Sequence, residues 1–101
     1  MPNLNNVKVL CSSETMIKDG KSLKVDYRYD KLNRLEKMSV FQVIDNKTFY
    51  LGCTEFEYPD TDKNDPNYEA FKDYWVHRVK KDKEGNVIEE SYREYNVVPK
   101  I

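Results

Sequence analysis

Cysteine is scarce in this chain: Cys11 and Cys53 are the only two in 101 residues. Two thiols cannot build the disulfide framework on which small secreted domains rely. Each lies in an apolar run, so both are expected to be reduced, buried and without a metal or catalytic role. Histidine is scarcer still. His77 stands alone, and no spacing brings it to a cysteine with a third group to orient the ring, as nucleophilic catalysis would need. Net charge is almost missing, since 17 basic and 18 acidic side chains leave −1. Nucleic-acid-binding domains are usually basic, so the balance argues against DNA or RNA as a partner. No apolar stretch approaches the roughly 20 residues that span a bilayer. Met1 to Asn6 lack the charged-then-apolar order of a signal peptide. The expectation is a cytoplasmic protein with no membrane contact.

Chemical motifs are also missing. The run Asp60-Thr61-Asp62-Lys63-Asn64-Asp65 alternates oxygen ligands like the start of a calcium loop. Such a loop needs Gly at its sixth position and Glu at its twelfth, and here those hold Asp65 and Phe71. The segment reads as a solvated acidic loop. No phosphate loop, metal cluster or catalytic arrangement stands out, so no enzyme activity, cofactor or metal is expected.

What the chain does have is aromatics: eight Tyr, four Phe and one Trp. Each removes roughly 150–250 Å² from water when buried, enough for one small domain over residues 1–101. Short turn signals divide the sequence: Asp19-Gly20, Lys31-Leu32-Asn33, Asp45-Asn46 and Glu84-Gly85-Asn86. Between them run segments rich in Val, Tyr, Phe and Ile, which is how β-hairpins are written.

Residues 7–13 alternate, with Val7, Val9 and Cys11 on one face, and are expected to form a strand. Residues 22–30 give the cleanest period of two: Leu23, Val25, Tyr27 and Tyr29 on one face, Lys24, Asp26, Arg28 and Asp30 on the other. Residues 34–44 and 47–58 are apolar on both faces and should be central strands, with Phe49 and Leu51 set against Tyr50 and Phe56. Gly52 suggests a bulge or a close backbone approach there. Asp65-Pro66 is a fitting helix start, with Asp65 as N-cap, and Tyr68, Phe71 and Trp75 follow at helical spacing for about two turns. Tyr74 to Lys81 fits either a continued helix or a strand that groups Trp75, His77 and Val79. The turn at Glu84-Gly85-Asn86 favours the strand. Residues 87–98 should be the last strand, ended by Pro99.

The stretch Tyr27-Arg28-Tyr29-Asp30-Lys31-Leu32-Asn33-Arg34-Leu35 resembles the YD hairpin of RHS-type repeat proteins. There two tyrosines end a strand, Asp opens the turn, and a Gly or Asn in the left-handed region closes it. The resemblance spans nine residues and implies a turn, with a fainter echo at Asp82 to Val87. No function follows from it.

The fold expected is mainly β: a single antiparallel meander of five or six strands, curled or partly closed, with one short helix after Asp65. The alternative is α+β, a four-stranded sheet with one helix at about 66–80. The function expected is a small, non-catalytic protein-binding module of inhibitor, immunity or accessory type, a class common among phage and mobile-element accessory genes. A β-barrel binding a small ligand or nucleic acid is the alternative. The carboxylates of Glu55 to Glu69 make an acidic patch, and loops gather binding residues. Phe56, Tyr58, Asp60, Asp62, Asp65 and Tyr68 are therefore the expected contacts, for another protein with a basic surface. Arg78, Lys80, Lys81 and Lys83 read as a solvated basic turn. A homodimer, through sheet edges or an aromatic face, is also open to such a chain.

Overall fold

A computed structural model describes residues 7–59 and 63–99. Six strands follow one another as an antiparallel meander: β1 (Ser13–Lys18), β2 (Lys21–Tyr29), β3 (Leu35–Ile44), β4 (Lys47–Glu57), β5 (His77–Asp82) and β6 (Val87–Tyr92). One helical turn, α1 (Tyr68–Phe71), lies in the β4–β5 connection. β1 and β6 are unpaired edges, so the sheet is open and no barrel forms.

Two kinds of turn build the hairpins. Asp19-Gly20 (φ 53° and 75°) and Asp45-Asn46 (51° and 64°) are two-residue loops with both φ positive, the type I′ geometry that matches strand twist. Asp30 and Asp82 open a longer turn. In the first, Asp30 Oδ1 accepts from the backbone N–H of Leu32 and of Arg34, while Asn33 closes the turn at φ 61°. In the second, Asp82 Oδ1 accepts from Glu84 and Asn86, and Gly85 takes φ 88°. The YD-like turn thus occurs twice, atom for atom.

Three strands carry an extra residue. Register shifts leave Glu36 in β3, Leu51 in β4 and Ile88 in β6 without a single facing partner. Such bulges bend a strand and add twist. The bulge at Leu51 also rephases β4: Phe49 and Phe56 come to the same side, where unbroken alternation sets them apart.

Several boundaries differ from the sequence reading. The first strand is Ser13–Lys18, not residues 7–13, because the Asp19-Gly20 turn pairs Lys18 with Lys21 and fixes the register backwards from there. Cys11 consequently precedes the ladder and is exposed, while Cys53 is buried as expected. The last strand stops at Tyr92, since β5 begins at His77 and offers no further partner; Arg93 N–H still reaches Val76 O. The helix has one turn, and its N-cap position is Asn67 with no side-chain cap. Asp65 spends its carboxylate on the Asn67 N–H in a preceding turn. A helix over 66–80 does not form, because residues 77–82 pair with β4.

Candidate functional site

Residues facing each other across an antiparallel ladder share a side of the sheet. One side carries Met16 opposite Leu23, Val25 opposite Val40, and Tyr27 opposite Met38. It continues through Thr54, Phe56 facing Arg78, and Lys80 facing Glu89. The other side holds Phe41 with Tyr50, their ring centroids 5.5 Å apart, then Cys53, Glu55 with Val79, and His77 with Tyr92.

The first side is concave. Lys18 of β1, Val40 of β3, Leu51 and Thr54 of β4, Lys80 of β5 and Ile88 of β6 line one cavity of about 340 Å³. In a flat sheet, strands spaced about 4.8 Å apart would leave β1 and β6 about 24 Å from each other. That is too far for a shared cavity of this size, so the sheet curls around it. A second hollow of about 200 Å³, with Met38, Phe56, Arg78 and Glu89, adjoins it through Thr54 and Lys80. The trough ends at Trp75, whose ring lies 6.0 Å from Phe56, with the guanidinium carbons of Arg78 and Arg93 5.2 and 4.0 Å from its centre. Trp75 precedes β5, so it is not grouped with His77 and Val79 as the strand reading expected.

Among the expected contacts, Phe56 sits in the trough. Tyr58 lies just past β4; its hydroxyl donates to Leu35 O at 2.6 Å, Arg34 covers its ring, and burial raises its pKa. Arg34 also donates to the Lys72 carbonyl, which ties the YD-like turn and Tyr58 to the helical turn carrying Tyr68. Asp65 is half-buried in the turn before α1. Asp60 and Asp62 lie outside the described residues.

Three carboxylates of the expected acidic patch have ion-pair partners within the chain. Glu55 pairs with Lys81 at 2.6 Å, which holds its carboxyl below the usual range, and Glu57 meets His77 at 3.3 Å. Both stand on the convex side. Glu69 pairs with Lys72. Glu55, Glu57 and Glu69 thus each have a basic side chain beside them within the chain.

The convex side carries the most enzyme-like cluster. His77 Nε2 lies 2.8 Å from Glu90 and its ring stacks on Tyr92 with centroids 4.3 Å apart. Hydrogen bonds to Glu90 and Glu57 raise the imidazole pKa against the effect of burial. The ring is held by its neighbours on the face opposite the trough. No group of three or more His, Cys, Asp or Glu residues fit to hold a metal occurs among the described residues. Nor is any described helix long and apolar enough to cross a membrane.

Sequence reasoning missed Lys18, Val40, Leu51, Lys80 and Ile88 as one site. Period two in Arg78 to Lys81 already separated Arg78 and Lys80 from Lys81, but only the curl joins them to Lys18. Comparison with family models, with curated proteins and with solved structures finds no match to this chain.

Proposed function

We propose that the chain is a small, non-catalytic, cytoplasmic protein-binding module of inhibitor, immunity or accessory type, and that it binds through the concave side of its sheet. One observation carries this reading: the sheet has almost no interior. Val25 and Cys53 are the only buried hydrophobic residues among those described, at 7% and 5% exposure. The chain exposes 8359 Å², where a compact protein of this mass exposes about 6000 Å². Apolar surface left open on this scale marks interaction sites. Leu51 and Ile88 are 42% and 57% exposed at the trough, and Phe56 supplies an aromatic anchor toward its Trp75 end. Tyr58, Asp65 and Tyr68 follow in the connection after Phe56, and Asp60 and Asp62 belong to the same stretch of sequence. Free thiols at Cys11 and Cys53 suit a reducing compartment.

Leu51→Asp and Ile88→Asp test the reading, because both side chains are exposed enough to be replaced without unfolding the sheet. The parent protein should retain a partner from lysate of its native cell, and both variants should release it. Retention by both variants would move the interface elsewhere. Absence of any saturable partner would reject the binding-module reading.

A further inference from the structure

We infer that the trough receives an acidic segment of another protein, with carboxylates flanking aliphatic or aromatic anchors. The inference rests on the protein-binding reading and names the chemistry of the partner. Charge is distributed unequally between the two sides of the sheet. On the convex side most cations are met internally: Lys24 by Asp26, Arg28 by Glu36, Lys81 by Glu55, and His77 by Glu57 and Glu90, with Lys37 left facing Arg28 and Glu55. On the concave side only Arg78 is, by Glu89. Lys18 and Lys21 face each other directly across the first hairpin, and neither has an ion-pair partner among the described residues. Lys80 is exposed and likewise unpaired, because the facing Glu89 is engaged by Arg78 at 2.9 Å. Asp82 borders the trough, and the Asn86 and Glu84 donors of its own turn hold its carboxylate in the charged form, so it offsets one of these lysines. With Arg78 and Glu89 paired, Lys18, Lys21 and Lys80 stand against Asp82 and Glu14, which faces Val25 on β1, so the concave side of a chain of net charge −1 keeps a small positive excess.

Like charges directly opposed across strands destabilise a sheet. An anionic occupant would offset the Lys18–Lys21 repulsion and meet Lys80 at the same time. A second copy of this chain would not. Two such troughs face to face would bring together two surfaces with the same positive excess, and like-charge contacts across an interface are costly. Nucleic acid fits less well than protein. Its bases need successive flat rings to stack on between the cations, whereas the floor here is Val40, Leu51, Met38 and Ile88, with Phe56 as the single ring among the residues lining the two hollows. The indole of Trp75 is already covered by Arg78 and Arg93.

The experiment is selection of a random-peptide display library on the folded protein, followed by titration of the recovered consensus peptide. Enriched sequences should combine Asp or Glu with Leu, Ile or Phe. Reversal of Lys18 and Lys80 together to Glu should weaken the consensus peptide about tenfold or more. Lys83→Glu, in the β5–β6 turn outside the trough, should leave its affinity unchanged and serves as the control for overall charge. Enrichment without acidic residues, or affinity insensitive to the double reversal, would overturn the acidic occupant and leave the binding-module reading standing. No enrichment at all on folded protein would count against both. Binding of a single-stranded oligonucleotide that competes with the peptides and is lost on double reversal would reassign the trough to nucleic acid.

Discussion

Gly52 sits at the β4 bulge with φ 141°, a conformation rarely open to other residues, and a Cβ there would strike the carbonyl oxygen of Lys81. That oxygen belongs to the backbone of β5, so relief requires β4 and β5 to part. Gly52→Ala should cost about 2 kcal/mol or more, read as a lower urea midpoint. An unchanged midpoint would show that this strand pair yields without strain. His77 tests the convex side. Its pKa is raised, so the stability it adds is complete below its ordinary value of 6.5 and is lost as pH rises through the higher folded value. Glu90 is lowered, mainly by the same hydrogen bond, so its share is present above 4.5 and lost as pH falls through its depressed value. The thermal midpoint should therefore fall between pH 6 and pH 8, and the imidazole resonances should titrate above about 6.5. Glu90→Gln should move that titration downward. A midpoint at or below the ordinary value would remove the pairing.

At the scale of elements, the Asp-opened turns set where strands reverse. Burial works against ionised Asp30, but donors from the Arg34 backbone and side chain and from Leu32 outweigh it and lower its pKa. Its contribution is thus present above 3.8 and fades only as pH drops through the lower folded value. Asp30→Ala leaves three donors without their acceptor and should cost about 2 kcal/mol. Asp30→Asn keeps an acceptor oxygen and should cost less than half of that, as chemical denaturation would show. Equal losses in the two variants would mean that the ion pair with Arg34, not the turn, carries the effect. Asp82→Ala should act in the same direction on the β5–β6 hairpin.

Turn chemistry was the most legible part of the chain. Asp19-Gly20, Asp30 to Arg34, Asp45-Asn46 and Asp82 to Asn86 announce four of the five reversals, because each needs residues that accept positive φ or supply a side-chain acceptor. Strand ends were less legible. Val7 to Cys11 alternate as well as a strand does, yet the register set by the adjacent turn leaves them outside the ladder. Bulges were the hardest. Gly52 hinted at one, but nothing in Glu36 or Ile88 marks the extra residue, since a register shift depends on both strands at once.

Over the whole molecule, the single-layer sheet gives a radius of gyration of 17.2 Å over Cα atoms, against about 13 Å for a compact chain of this length. X-ray scattering of the isolated protein should return a value near the larger figure, falling when the trough is filled only if the sheet closes further. A radius near the compact value would mean that the sheet folds over on itself in solution and hides the trough. With so little surface buried, the urea dependence of unfolding should be shallow for the chain length, because that slope scales with the area exposed. Amide exchange should be slowest in β2 to β5, which are paired on both sides, and fastest in the edge strands β1 and β6.

The sequence by itself determined the hairpins, the meander order and the central place of β3 and β4, because turn residues and period-two alternation act over a few neighbours. An apolar run around each cysteine did not separate Cys53, which is buried, from Cys11, which is exposed. The tertiary structure alone decided that Lys18 and Ile88 share a cavity, that Phe49 and Phe56 lie on one side, and that Glu55 and Glu57 spend their charge on Lys81 and His77. The physical reason is that curl, bulge position and ion pairing accumulate across strands far apart in sequence. The concave trough is a property of six strands together, and no single segment encodes it.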